Sequence, residues 1–122
     1  MDSIKNAKIT NITTIDKNGN EITELHSNEV FSIHAKVDAP INTKFSITFK
    51  LSGPNSRESI VGTKSYEVKI PASSQYSTHT NIETDSNLIS FGSFSLLGDD
   101  NYIKLKAVLE NGDYKTTVIK LV

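Results

Sequence analysis

The chain has 122 residues, 36% of them hydrophobic and 22% charged, which is room for one domain with a thin core of the kind two layers of short strands build. Thirteen Lys and Arg stand against 14 Asp and Glu, for a net charge of −1, so the basic excess that marks nucleic-acid or anionic-lipid binding is missing. Cysteine is absent, which removes disulfides and thiolate chemistry, and no run of about 18 apolar residues predicts membrane insertion. The opening stretch, residues 1–8, has no apolar segment and does not read as a secretory signal.

Apolar positions alternate along most of the chain instead of recurring every three or four residues, and Ser, Thr and Asn fill the positions between them. That pattern predicts strands. Ala7 to Ile15 carries Ile9, Ile12 and Ile15 at a spacing of three, but its threonines favour an edge strand with a bulge. Asn18-Gly19 supplies a turn, and Ile22 to Leu25 a short strand or crossing segment. Phe31, Ile33, Ala35 and Val37 then alternate with Ser32, His34 and Lys36 until Asp38-Ala39-Pro40 ends the strand. Lys44 to Leu51 is the clearest strand, with Phe45, Ile47, Phe49 and Leu51 on one side and Lys and hydroxyl residues on the other. Ser52 to Ser56 reads as a loop.

Tyr66, Val68 and Ile70 before Pro71, and Tyr76, Thr78, Thr80 and Ile82 after it, predict two modest edge strands. Phe91, Phe94 and Leu96 predict another. Tyr102 to Leu109 and Tyr114 to Leu121 flank Asn111-Gly112, the strongest short-range signal for a hairpin. Seven or eight strands with turn signals between them predict an all-β, two-sheet antiparallel sandwich spanning residues 1–122 as a single domain.

Two stretches carry a resemblance. Asn28 to Ala35 is similar to the turn and second strand of bacterial immunoglobulin-like and fibronectin type III-like domains, and Leu96-Leu97-Gly98-Asp99-Asp100-Asn101-Tyr102 resembles their tyrosine corner. The parity departs from the family pattern, because Tyr102 is opposite to Ile103, Leu105, Ala107 and Leu109, and the chain has no Trp. The resemblance implies an immunoglobulin-like architecture and a role in binding or assembly instead of catalysis.

Motifs for chemistry are sparse. His26, His34 and His79 have no metal-ligand spacing, and neither a nucleophile elbow nor a phosphate-cradling glycine loop is present, so no cofactor is expected. Asp16 to Glu21 looks superficially like a calcium loop, but its Gly comes early and the distal Glu is missing, so a turn explains it better. Asp99, Asp100 and Asn101 group hard oxygen ligands at a strand end, which suits either calcium or ordinary turn capping. Carbohydrate stacking would have to use Tyr66, Tyr76, Tyr102 or Tyr114.

The last hairpin is the most informative segment. With a two-residue Asn111-Gly112 turn, Leu109 faces Tyr114, Ala107 faces Thr116 and Leu105 faces Val118. The opposite side then gathers Tyr102, Val108, Ile119 and Leu121 among Lys104, Lys106, Lys115 and Thr117, making a hairpin apolar on both sides. A longer turn would shift the register and reverse those side chains, and an N-terminal strand could cover them.

These observations lead to a non-enzymatic binding or assembly module, displayed on a particle or cell surface such as a virion, appendage or secreted assembly. Tyr102, Ile119 and Leu121 are the expected contact residues for a protein partner or self-association. The alternative is a soluble monomeric inhibitor or adaptor that uses loops such as Gly53 to Arg57 and Ala72 to Gln75.

Overall fold

The computed structural model describes residues 6–26, 28–53, 56–69, 79–90 and 102–122. They form nine strands: β1 (Lys8–Asp16), β2 (Glu24–Leu25), β3 (Val30–Pro40), β4 (Thr43–Gly53), β5 (Ser56–Val68), β6 (His79–Asp85), β7 (Ile89–Ser90), β8 (Tyr102–Leu109) and β9 (Tyr114–Leu121). One sheet has the order β1-β3-β6, with β7 also on β3, and the other has the order β2-β9-β8-β4-β5. Pairing is antiparallel except where the short β2 runs parallel to β9. The expected two-sheet sandwich is therefore present; the short strand expected within Ile22 to Leu25 is β2, and β7 is a second strand of only two residues.

Alternation is clearest in β3, where Phe31, Ile33, Ala35, Val37 and Ala39 are all buried. Across the gap, Phe45, Ile47 and Phe49 of β4 and Ile103, Leu105, Ala107 and Leu109 of β8 complete the core. The isoleucine spacing of β1 has a local cause. The pairing with β3 slips between Ile9 and Asn11, so Ile9 opposes Val37 and Ile12 opposes Ala35, both on the core side. Without that bulge, a spacing of three would put one of them in water.

Strand ends follow their turn chemistry. Gly19 closes the β1 turn at φ +87, and the Asp16 Oδ1 accepts from the N–H groups of Asn18 and Asn20 at 2.9 Å each. The turn reading of this acidic segment is the one the structure bears out. β3 stops at Pro40, which lacks a donor, and Asn42 turns the chain at φ 59 into β4. β4 continues to Gly53, and β5 begins at Ser56, ten residues upstream of the expected start at Tyr66. The expected strand through Phe91, Phe94 and Leu96 lies outside the described residues.

Two buried hydroxyls complete the four-stranded sheet. Ser86, just past β6, accepts from the Ile33 N–H through its Oγ at 2.9 Å, while its own N–H donates to the Ile33 carbonyl at 2.8 Å. Thr84 donates its hydroxyl to the Ala35 carbonyl at 2.9 Å. Each replaces solvent for a backbone group that the core would otherwise leave unpaired.

Candidate interaction face

The hairpin turn sets the geometry of this face. The Leu109 N–H donates to the Asp113 carbonyl at 2.8 Å and the Gly112 N–H to the Leu109 carbonyl at 2.9 Å, with Gly112 at φ +96. The loop is therefore three residues, Glu110 to Gly112, ending in a glycine in the left-handed region, and not the two-residue Asn-Gly turn. The extra residue moves the register by one: Val108 opposes Tyr114, Lys106 opposes Thr116, Lys104 opposes Val118 and Tyr102 opposes Lys120.

This shift corrects two of the three expected contact residues. Ile119 opposes Ile103 and is 0% exposed, and Leu121 is 9% exposed, so both belong to the core. A one-residue slip exchanges the faces of an entire strand, and the three-residue loop supplies that slip. Tyr102 keeps its outward position at 39% exposure. Two residues not expected on this side join it: Val118, 55% exposed, and Tyr114, 56% exposed, which the sequence offers only as a stacking candidate. One sequence signal could have found them. A hairpin whose β8 buries Ile103, Leu105, Ala107 and Leu109 is one-sided only if β9 turns Ile119 and Leu121 to the same side.

The turn is also tied to the N-terminal segment. Asp113 Oδ2 accepts from the Ile9 N–H at 2.8 Å, and the Asn111 side-chain amide donates to the Ala7 carbonyl at 2.8 Å. The Asn111 Oδ1 in turn accepts from the Asp113 N–H at 2.9 Å. These bonds use the Asn and Asp side chains as turn braces and fix the start of β1 beside the hairpin.

The outer face of the five-stranded sheet is thus a continuous surface. Its β8–β9 part presents Tyr102, Lys104, Lys106 and Val108 beside Tyr114, Thr116, Val118 and Lys120. The Lys106 ammonium lies 4.5 Å from the centre of the Tyr114 ring, a cation–π contact that orients both side chains. On β4, Thr48 opposes Val108, Lys50 opposes Lys106 and Ser52 opposes Lys104. Farther out, the Thr48 and Thr63 hydroxyls meet at 3.1 Å and those of Ser46 and Ser65 at 3.0 Å, and Ile60 stands 67% exposed opposite Lys50.

The other candidates gather less. Tyr102 stands outside the core at the start of β8, so it does not share a face with the buried residues of that strand as a tyrosine corner would. The rest of that motif, with the calcium candidates Asp99, Asp100 and Asn101, lies outside the described residues. So do Ala72 to Gln75 and the centre of the Gly53 to Arg57 loop. His34 Nε2 is 3.1 Å from the Ser32 hydroxyl, and the His26 N–H donates to Glu29 Oε1 at 2.9 Å. His79 stands beside one carboxylate, with Nδ1 3.5 Å from Asp38 Oδ1, in a hollow of about 470 Å³ shared with Asn6 and Lys8. Among the described residues no three His, Cys, Asp or Glu side chains come together in a metal-holding group.

Tyr66 does not serve as an open stacking platform. It is half-buried and stacks on Phe45, with ring centres 5.6 Å apart. Of the tyrosines considered for carbohydrate, Tyr102 and Tyr114 remain on the open face, and Tyr76 lies outside the described residues. No family model and no curated protein matches the chain.

Proposed function

We propose that this chain is a non-enzymatic binding module whose contact surface is the outer face of β8 and β9. The observation that carries this reading is the exposure of Tyr114 and Val118 together with Tyr102 on one side of a hairpin whose other side is core. Exposed apolar residues scattered singly need no explanation, but several on one face of a sheet, with tyrosines among them, are characteristic of contact surfaces. Display on a particle or cell surface accords with this role as part of the proposal.

The strand order supports an immunoglobulin-like topology within the same proposal. The path β1-β3-β6 of one sheet facing β9-β8-β4 of the other, with a short β2 running parallel to the last strand, accords with the sheet division of such domains. Domains of this architecture commonly act as recognition modules, so the topology favours binding by analogy alone.

A photo-crosslinking amino acid placed at position 114, and separately at position 83 on β6, tests the reading in the native source of the protein. Adducts from position 114 and none from position 83 support it. Equal yields, or adducts from position 83 alone, contradict it.

A further inference from the structure

We infer that the occupant of this face is an acidic protein surface, one that sets carboxylates around an apolar centre. This inference rests on the reading of β8–β9 as the contact face. The two strands carry four lysines, Lys104, Lys106, Lys115 and Lys120, and no Asp or Glu, in a chain whose net charge is −1. Charge is therefore segregated, and three of these lysines, Lys104, Lys106 and Lys120, point outward with the tyrosines.

The neighbours of this face neutralise only its margins. Lys50, beside Lys106 on β4, reaches Glu58 at 3.7 Å, and Glu24 of β2 lies next to Lys120 in register. Among the described residues, Lys104 and Lys106 have no carboxylate within ion-pair distance. Among the described residues, the centre of the face thus presents two ammonium groups without a carboxylate partner, one oriented by Tyr114, next to the aliphatic Val108 and Val118.

This arrangement selects among occupants. A second copy docked by two-fold symmetry would set this lysine group against itself, and like charges facing each other across an interface oppose association. An anionic polysaccharide would satisfy the lysines but leave Val108 and Val118 without an apolar partner. An acidic protein surface matches both, because its carboxylates pair with the lysines while its apolar centre covers the valines and tyrosines.

The test follows backbone amide shifts of the whole chain by NMR. The probes are a synthetic peptide repeating Glu, Ser and Leu, the same peptide with Gln for Glu, and a heparin-derived oligosaccharide. The acidic peptide is expected to shift amides of Tyr102–Val108 and Tyr114–Lys120 and leave those of β3 and β6 in place. Its affinity should fall about tenfold between low and physiological salt, since the pairs are exposed to screening. The K104E/K106E variant, its fold checked by its own amide spectrum, should lose the shifts.

If the Gln peptide shifts the same amides equally well, the acidic-partner inference fails while the contact face stands. If the oligosaccharide binds there and the acidic peptide does not, the partner is a glycan and the inference is overturned. Shifts confined to other strands, or none with any probe, overturn the inference and the face with it.

Discussion

The Tyr66 hydroxyl accepts a hydrogen bond from the Asp85 N–H at 3.1 Å, and this bond ties the outer strand of one sheet to the outer strand of the other. The same Asp85 reaches Lys64 through its carboxylate at 3.7 Å, and the Tyr66 ring lies on Phe45. Lys64 opposes the buried Ile47, so its stem runs between the sheets before the ammonium emerges. A long edge strand with an inward-pointing charge is a poor template for further strand pairing.

Tyr66→Phe keeps the stacking and removes only the hydroxyl, whose main bond is the one it accepts from the Asp85 N–H at 3.1 Å; its donation to the Asp85 carbonyl at 3.5 Å is long and weak. It should cost about 0.5–1.5 kcal/mol of unfolding free energy in a denaturant titration, the usual net worth of one hydrogen bond. Tyr66→Ala also removes the ring over Phe45 and should cost at least twice as much. Equal losses for the two variants would mean that the ring packing contributes nothing.

Ser86→Ala leaves the buried Ile33 N–H without its acceptor. A loss of about 1–3 kcal/mol is expected, the cost of an unsatisfied buried donor, together with faster exchange of the Ile33 amide. An unchanged stability would show that another acceptor takes over at this position.

Gly112→Ala tests the loop that sets the face. A Cβ at Gly112 has open space around it, so the cost comes from the backbone alone, at φ +96. About 1–2 kcal/mol of destabilisation is expected from holding an L-residue in that region. Replacement of Gly112 by Asn, which tolerates left-handed backbone better, should cost less than Ala.

The Asp16 carboxyl is held below its ordinary value of 3.8, first by the Asn20 N–H and then by that of Asn18. Because folding depresses this group, its contribution to stability is present above the unfolded-state value and is lost as pH falls through the folded one. A carboxyl NMR titration should place the Asp16 midpoint below 3.8, and the β1 turn amides of Asn18 and Asn20 should move with it. A midpoint at or above the ordinary value would contradict the cap.

The legibility of this fold in its sequence divides by the range of the interaction. Alternation in β3, β4 and β8 is local, and it identifies Phe31, Ile47 and Leu105 as core without reference to anything distant. The hairpin strands were equally legible, from Tyr102 to Leu109 and from Tyr114 to Leu121, yet their register was not. Asn-Gly favours a two-residue turn by local preference, whereas here Asn111 braces Asp113 and Gly112 closes a three-residue loop. The one-sided burial of Ile119 with Ile103 outweighs the dipeptide preference, and only a comparison of the two strands shows it. The role of Tyr66 was hidden for a different reason, since its partner Asp85 belongs to the opposite sheet.

The register of β9 underlies every statement about the contact face, and the absence of cysteine gives a clean way to measure it. Single cysteines at 118 and 119, Val118→Cys and Ile119→Cys, would be reacted with a thiol reagent under native conditions, with circular dichroism confirming that each variant is folded. The account predicts rapid labelling of the 118 variant and strong protection of the 119 variant, since Val118 is 55% exposed and Ile119 is 0%. Protection at 118 with rapid labelling at 119 would restore the two-residue turn and contradict the proposed contact face.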